Sequence, residues 1–326
     1  MGVSIFEGVR DFFRKENVVK LMPAASFIPV LFILYLIDPN SFSIMYPGRA
    51  LYIFFIWLAS FKLAFHWEKI QVRAVSKAFL IFVSLLPTLY TIIYFALLSQ
   101  IGMTELMLIS TYPNSPLAKQ MYLTLSVEYL GFAALSALMI LAFYKSISIG
   151  FHAPAFFLGA VGMVFIVDWA FPGGYFTPFQ ALVFPTAQVA AAILNLMGYQ
   201  TGLYNAVDRT YGPLVYMRVH DPIRNADAGL GIAWPCAGVE SLIIYTVTVS
   251  TFLQSLPVSK RLKILYFTLG AIVTYAINVL RIITIFEIAL NGGDIWIFHN
   301  YHGWLYSTLW VVTYPLIITL LSRRLN

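Results

Sequence analysis

The chain has 326 residues, 60% of them hydrophobic and 10% charged, and a mean hydropathy of +0.81. A soluble domain carries about 25% charged residues, so this composition excludes a soluble class and places the chain in a bilayer. The net charge of +6 comes without a basic run interleaved with aromatics, so nucleic acid is not an expected partner and the charge reads as a topology signal.

The leader MGVSIFEGVRDFFRKENVVK carries Arg10, Arg14, Lys15 and Lys20 and reads as a basic amphipathic helix at the inner membrane surface, with no cleavable signal peptide. A spanning helix needs about 20 mostly apolar residues. Nine runs qualify, at about 22–37, 50–65, 78–98, 123–145, 154–171, 179–198, 238–257, 264–288 and 304–322. Cytoplasmic markers stand in the leader, at Lys69, Arg73 and Lys77, at Lys260, Arg261 and Lys263, and at Arg323 and Arg324. Counting back from the 258–263 loop puts residues 199–237 outside, whereas counting forward through six spans puts them inside. One run therefore does not cross. The run 179–198 holds Gln180, Pro185, Gln188 and Asn195 and lacks basic flanks, so it is assigned to the outer leaflet as an interfacial helix. The expected fold is an all-α multipass membrane protein of about eight transmembrane helices, in the cytoplasmic membrane, with both termini cytoplasmic.

Residues 200–235 are polar, Gly-rich and β-leaning, with LVYMRV the best strand candidate. They predict a small extracytoplasmic β-hairpin region inside the outer loop 199–237. The chain divides into an amino-terminal transmembrane region, 1–150, and a carboxy-terminal core, 151–326, that carries the chemistry.

Cys236, the single cysteine, excludes an intramolecular disulfide and any Cys-based metal site. It stands at the outer mouth of the run 238–257. Arg281 is embedded in TYAINVLRIITIFEIA, and a charge within a span needs a partner or a function. It lies roughly 25 Å along its outward-running helix, near the outer surface. The next loop brings His299 and His302 to the mouth of the last span. Thiol, guanidinium and imidazole thus reach one depth from three consecutive helices. A thiolate is a nucleophile, an imidazole can take its proton and return it to a leaving amine, and a fixed Arg lowers the thiol pKa or donates to an oxyanion.

At these residues the sequence resembles the exosortase/archaeosortase family of multipass membrane cysteine transpeptidases and proteases. PCAGVESLI is similar to the family's cysteine box, NVLRI to its Asn-x-x-Arg box and FHNYHGW to its His-x-x-x-Gly-Trp box. The resemblance covers about residues 150–326 and implies catalytic roles for Cys236, Arg281 and His299, which stands four before Gly303. The family usually has Ser or Thr after the cysteine; here it is Ala237. The resemblance further implies, as partners, exported proteins with a carboxy-terminal sorting signal of motif, apolar span and basic tail, cut at the outer face and passed to water, a lipid or another amine acceptor.

Duller readings accompany each residue. A lone Cys at a helix mouth is usually a small hydrophobe, and Arg281 can pair with Glu240, Asp168 or Glu287. Glu240, Asn278, His302 and His220 are the further candidates for contact with substrate. His299, His302 and Asp294 lack a third ligand at standard spacing, so neither metal nor cofactor is expected. The competing function is a transporter or channel with Arg281 lining an anion path, which calls for polar residues spread through several spans and often an internal repeat. Away from the ends of the runs, Lys62, Glu128 and Asp168 are the charges that join Arg281 clearly inside spans, and no repeat is visible.

Overall fold

The computed structural model describes residues 15–43, 48–98, 116–145, 148–171, 175–208 and 212–325; the basic leader up to residue 14 lies outside them. The chain is mostly helical: α1 (Lys15–Ala25), α2 (Phe27–Ile37), α3 (Leu51–His66), α4 (Lys77–Leu98), α5 (Pro116–Phe143), α6 (Ala153–Ala170), α7 (Val183–Leu196), α8 (Val239–Gln254), α9 (Lys260–Leu290) and α10 (Gly303–Leu325). Between α7 and α8 lie three strands, β1 (Gln200–Asp208), β2 (Gly212–Asp221) and β3 (Ala226–Ile232). A short turn, Ile295–Ile297, and a π-helical turn, Phe298–His302, lead into α10.

Among the described residues, seven helices are long and apolar enough to cross a membrane: Asn17–Ile37, Lys77–Tyr94, Gln120–Phe143, Ile149–Ala170, Pro178–Leu196, Lys260–Leu290 and Leu305–Ser322. They mark a membrane protein. This set and the eight expected spans differ at three helices. Val239–Gln254 is apolar but has only 16 residues, and Leu51–His66 is equally short and carries Lys62. Pro178–Leu196 qualifies by composition, although the charge parity argued that it does not cross. Large apolar side chains on α2, α4 and α9, such as Phe32, Phe82 and Ile272, are exposed, as lipid-facing surfaces require.

The helix ends gather on two sides. On one, Tyr144 donates from its hydroxyl to the Lys20 carbonyl at 2.7 Å, the Arg73 amide donates to the Phe143 carbonyl at 2.8 Å, and Lys62 Nζ donates to Ser255 Oγ at 3.2 Å. These bonds join α1, the 67–76 connection and the ends of α3, α5 and α8. On the other, Arg49 just before α3 grips Glu128 of α5 with two bonds, Nε to Oε1 at 2.8 Å and Nη2 to Oε2 at 2.7 Å. Tyr52 adds a third bond to Oε1 at 3.0 Å, and all three side chains are buried.

The strands form an antiparallel sheet in the order β1-β2-β3, one strand more than the expected hairpin. Alternation decides its faces. Val215, Met217 and Val219 of β2 and Ala228 and Ile232 of β3 point into a second core, built with α7 and with Val279, Ile282, Ile283, Phe286 and Leu290 of α9. Leu214, Tyr216, Arg218 and His220 alternate with them on the outward face. Helix α7 lies lengthwise beneath the sheet. Just before it, Gln180 Nε2 donates to the Pro213 carbonyl at 2.7 Å, at the β1–β2 end. In its last turn, Asn195 Oδ1 accepts from the Thr201 amide at 3.1 Å, near the opposite end of the strands. Both ends of α7 thus meet the same sheet. The β2–β3 turn is pinned to the end of α9, where Arg224 donates to Asn291 Oδ1.

The Arg49–Glu128 pair yields a stability test. Removing one partner of a buried ion pair typically costs about 3–5 kcal/mol, because the other charge is left uncompensated. Arg49→Met is expected to lower the thermal unfolding temperature in detergent strongly, and Arg49→Met with Glu128→Leu to recover most of the loss. A single variant as stable as wild type would show that the pair is not held in the fold.

Candidate active site

The site is built where β3 hands over to α8. Pro235 lies in the tight turn 234–238, closed by the Ala237 amide on the Ala233 carbonyl at 3.1 Å and the Gly238 amide on the Pro235 carbonyl at 3.3 Å. Gly238 has φ +76°, a left-handed conformation that glycine adopts without penalty. A Cβ there would also run into the Asn278 side chain. Trp234, fully buried, anchors the turn with its ring edge-on to Phe179 at 5.0 Å. Cys236 is left half-buried just before α8.

Helix α9 supplies two residues on one face, Asn278 and Arg281, three apart. Asn278 is fully buried. Its Nδ2 donates to the Gly238 carbonyl at 3.2 Å, and its Oδ1 accepts from Ser307 Oγ of α10 at 3.1 Å. One amide therefore ties together the start of α8, the middle of α9 and the start of α10. With both ends of that amide engaged, Asn278 acts as a holder of the site and not as a contact for substrate. Arg281, one turn further, is also buried. Its Nη2 donates to the carbonyl and to Nδ1 of His299, both at 3.3 Å. Gly303 faces the guanidinium so closely that a Cβ would strike it.

This geometry fixes the tautomer of His299. Arginine has only donors, so Nδ1 accepts and the ring proton sits on Nε2. Burial, reinforced by the Arg281 charge, holds the imidazole down to about 3. A neutral ring with its proton on Nε2 is a hydrogen-bond donor at that nitrogen. The expectation that His299 removes the thiol proton therefore does not fit this arrangement. Burial pushes the Cys236 thiol up from its ordinary value; Arg281 and a backbone hydrogen bond at Ala233 pull it down, and Glu240 pushes it up. At rest the sulfur is a thiol.

Glu240, in the first turn of α8, is fully buried beside this group, within electrostatic reach of Cys236, Arg281 and Asp168 of α6. His302 is exposed, its ring parallel to Phe298 at 6.0 Å. His220 belongs elsewhere: Nδ1 pairs with Asp227 Oδ1 at 3.3 Å. Asp227 is five residues before Ile232, roughly 17 Å along the strand from the Cys236 end. The structure thus brings Cys236, Glu240, Asn278, Arg281 and His299 together and leaves His302 and His220 outside the cluster. No spacing along the chain signals Asp168, which arrives from a distant helix, or Ser307. Among the described residues, no three His, Cys, Asp or Glu side chains are gathered so as to hold a metal ion. Comparison with protein-family models, curated proteins and solved structures returned no match.

Two outcomes follow from the electrostatics. Arg281→Gln removes the charge that pulls the thiol down, so alkylation of Cys236 by iodoacetamide at pH 8 should slow, by roughly tenfold for each pK unit lost; an unchanged rate would place Arg281 away from the sulfur. His299 has its folded value, about 3, below the ordinary 6.5. Its stabilising contribution is full above 6.5 and is lost as pH falls towards 3. Thermal unfolding in detergent between pH 7 and pH 4 should therefore fall less steeply in His299→Gln than in wild type.

Proposed function

We propose that the protein is a membrane-embedded cysteine transpeptidase or protease, cutting exported proteins near a carboxy-terminal sorting signal on the outer face of the cytoplasmic membrane. The observation that carries the reading is the meeting of Cys236, Arg281 and His299 from three chain segments, with Asn278 tying all three helix ends. The resemblance of the three boxes points the same way.

The topology proposed with it has eight spans, α7 not crossing. Asp168 near the end of α6 and Glu240 at the start of α8 interact, so the chain leaves and re-enters the bundle on one side, and both ends of α7 meet the sheet. Helix α9 has 31 residues, about 46 Å, against a hydrocarbon core of about 30 Å. Its last turns project from the membrane, and the sheet packs on them. An open-edged sheet is not tolerated in lipid, which supports placing it outside. In this reading α7 lies along the sheet, with Val183, Ala187, Ala190 and Leu194 covered by protein and Phe184, Val189 and Leu196 left exposed towards the outer leaflet. The basic loops then lie inside with both termini.

In the proposed reaction the Cys236 sulfur attacks the scissile carbonyl of an exported protein. The developing oxyanion takes hydrogen bonds from Arg281 and from Nε2–H of His299, the strongest service such donors provide in a dry site. Collapse expels the amine of the carboxy-terminal span and leaves a thioester. Water then yields hydrolysis, and an amine or lipid acceptor yields transfer. The anion-path alternative calls for polar residues strung along one route. The buried charges instead form separate groups, Arg49 with Glu128, Lys62 with Ser255 and the set around Arg281.

The test follows exported proteins of the same genome that end in a motif, an apolar span and a basic tail. Cys236→Ala should leave them uncut, and His299→Ala should lower processing about 10²–10⁴-fold, as loss of one oxyanion donor or catalytic group does. His302→Ala should retain most of it. Normal processing in Cys236→Ala would reject the enzyme reading outright.

A further inference from the structure

The arrangement leaves a question: if Arg281 occupies Nδ1 of His299, some other group has to receive the thiol proton. Around the sulfur, α9 contributes Arg281, a permanent donor, and the turn before α10 contributes His299, whose remaining ring nitrogen is protonated. That leaves α8 and α6. Glu240 is fully buried, and neither of its carboxylate oxygens accepts a hydrogen bond from any described residue. Asp168 is buried as well, with Oδ2 lacking such a bond. Three buried carboxylate oxygens without donors are expensive in a fold, since each forfeits its water without replacement. The cationic neighbour of Glu240 is Arg281, which acts on Cys236 as well. A purely structural role would be served better by an apolar pair, so the two acids call for a task that requires carboxyl groups beside the thiol.

We infer that Glu240 is the proton acceptor for Cys236 and that Asp168 positions Glu240 and shares its charge. The inference rests on the protease reading above. As the sulfur–carbon bond forms, the S–H proton moves to Glu240 while the carbonyl π electrons move to oxygen. When the tetrahedral adduct collapses, the carbon–nitrogen bond breaks and the leaving nitrogen takes that proton. In the second half Glu240 receives a proton from the incoming water or amine. The Cys236 sulfur then leaves and is reprotonated from the same carboxyl group. His299 stays neutral throughout as a donor. Glu240 thus joins the catalytic residues, while Asp168, which acts through Glu240, is a positioning residue.

Two readouts separate this from a structural role. Glu240→Gln should reduce processing about 10²–10⁴-fold, the usual effect of losing a general base. In the same variant, iodoacetamide should alkylate Cys236 faster than in wild type, because a negative charge facing the thiol has gone. A merely loosened site would not speed alkylation while stopping turnover. Glu240→Asp, which keeps the carboxyl group, should retain a measurable fraction of processing and guards against misfolding of the amide variant. Asp168→Asn should lower processing on its own and add nothing in the Glu240→Gln background, as expected for residues acting in one chain. Processing within tenfold of wild type in Glu240→Gln overturns this inference while leaving the protease reading intact. So does loss of processing in Glu240→Asp equal to that in Glu240→Gln. A wild type that cuts no candidate substrate rejects both.

Discussion

The carboxy-terminal half is organised around one buried guanidinium. Taking Arg281 out of water costs several kcal/mol before any partner is counted, and the fold answers with geometry supplied by every neighbouring element. The His299 carbonyl and Nδ1 accept from it. Gly303 gives it room, and Glu240 and the Cys236 sulfur lie within reach of its charge. Replace glycine at 303 with any larger residue and either the guanidinium leaves its seat or α10 moves away from α9; move α10, and Ser307 leaves Asn278. Because Asn278 also holds the Gly238 carbonyl, the position of the cysteine turn depends on the seating of that arginine.

The sheet has a related part. A turn with a left-handed glycine and a proline has little rigidity of its own. It is held between two fixed ends: β3, registered against β2 from Ala226 to Ile232, and α8, tied through Asn278. The second core, in which Val215, Met217 and Val219 meet α7 and the last turns of α9, keeps β3 in place. The sheet is therefore a brace for the turn that carries Cys236. Sub-ångström control of a sulfur needs this kind of support, since a small misplacement forfeits much of the rate.

Much of this was legible in the sequence, and the reasons are physical. Long apolar runs bounded by Lys and Arg gave the helices to within a few residues, as α9 and α10 show, because burial in lipid admits few alternatives. The meeting of Cys236, Arg281 and His299 followed from depth along consecutive helices and from the boxes around them. What stayed hidden depended on side-chain direction. Nothing in the spacing of His299 says which ring nitrogen faces Arg281, and that choice decides between base and donor. Asn278 looked like a contact for substrate because it is polar and near; its role as a tie needs the positions of Gly238 and Ser307. Arg49 carried no signal at all, since an arginine beside a loop reads as solvated until Glu128 is found across from it. The third strand was obscured by the glycines of ADAGLGI, whose β propensity is poor. Tyr216 and Leu214 cover Gly229 and Gly231 from the neighbouring strand, which makes good the side chains that β3 lacks.

The electrostatic state of the site has a consequence for how such chemistry is switched on. Burial raises the thiol and Arg281 only partly offsets it, so the resting sulfur is protonated and a poor nucleophile. The guanidinium's influence is divided among His299, Glu240 and Cys236. A peptide carbonyl entering beside Arg281 adds an acceptor to a group rich in donors, and the charge that forms on its oxygen is the one these donors are placed to stabilise. On the proposed reaction the site is matched to the negative charge of an adduct and not to a standing thiolate, which concentrates stabilisation on the transition state, as catalysis requires. A lone cysteine kept as a thiol until substrate arrives is also less exposed to oxidation than a permanent thiolate would be, because susceptibility follows thiolate character.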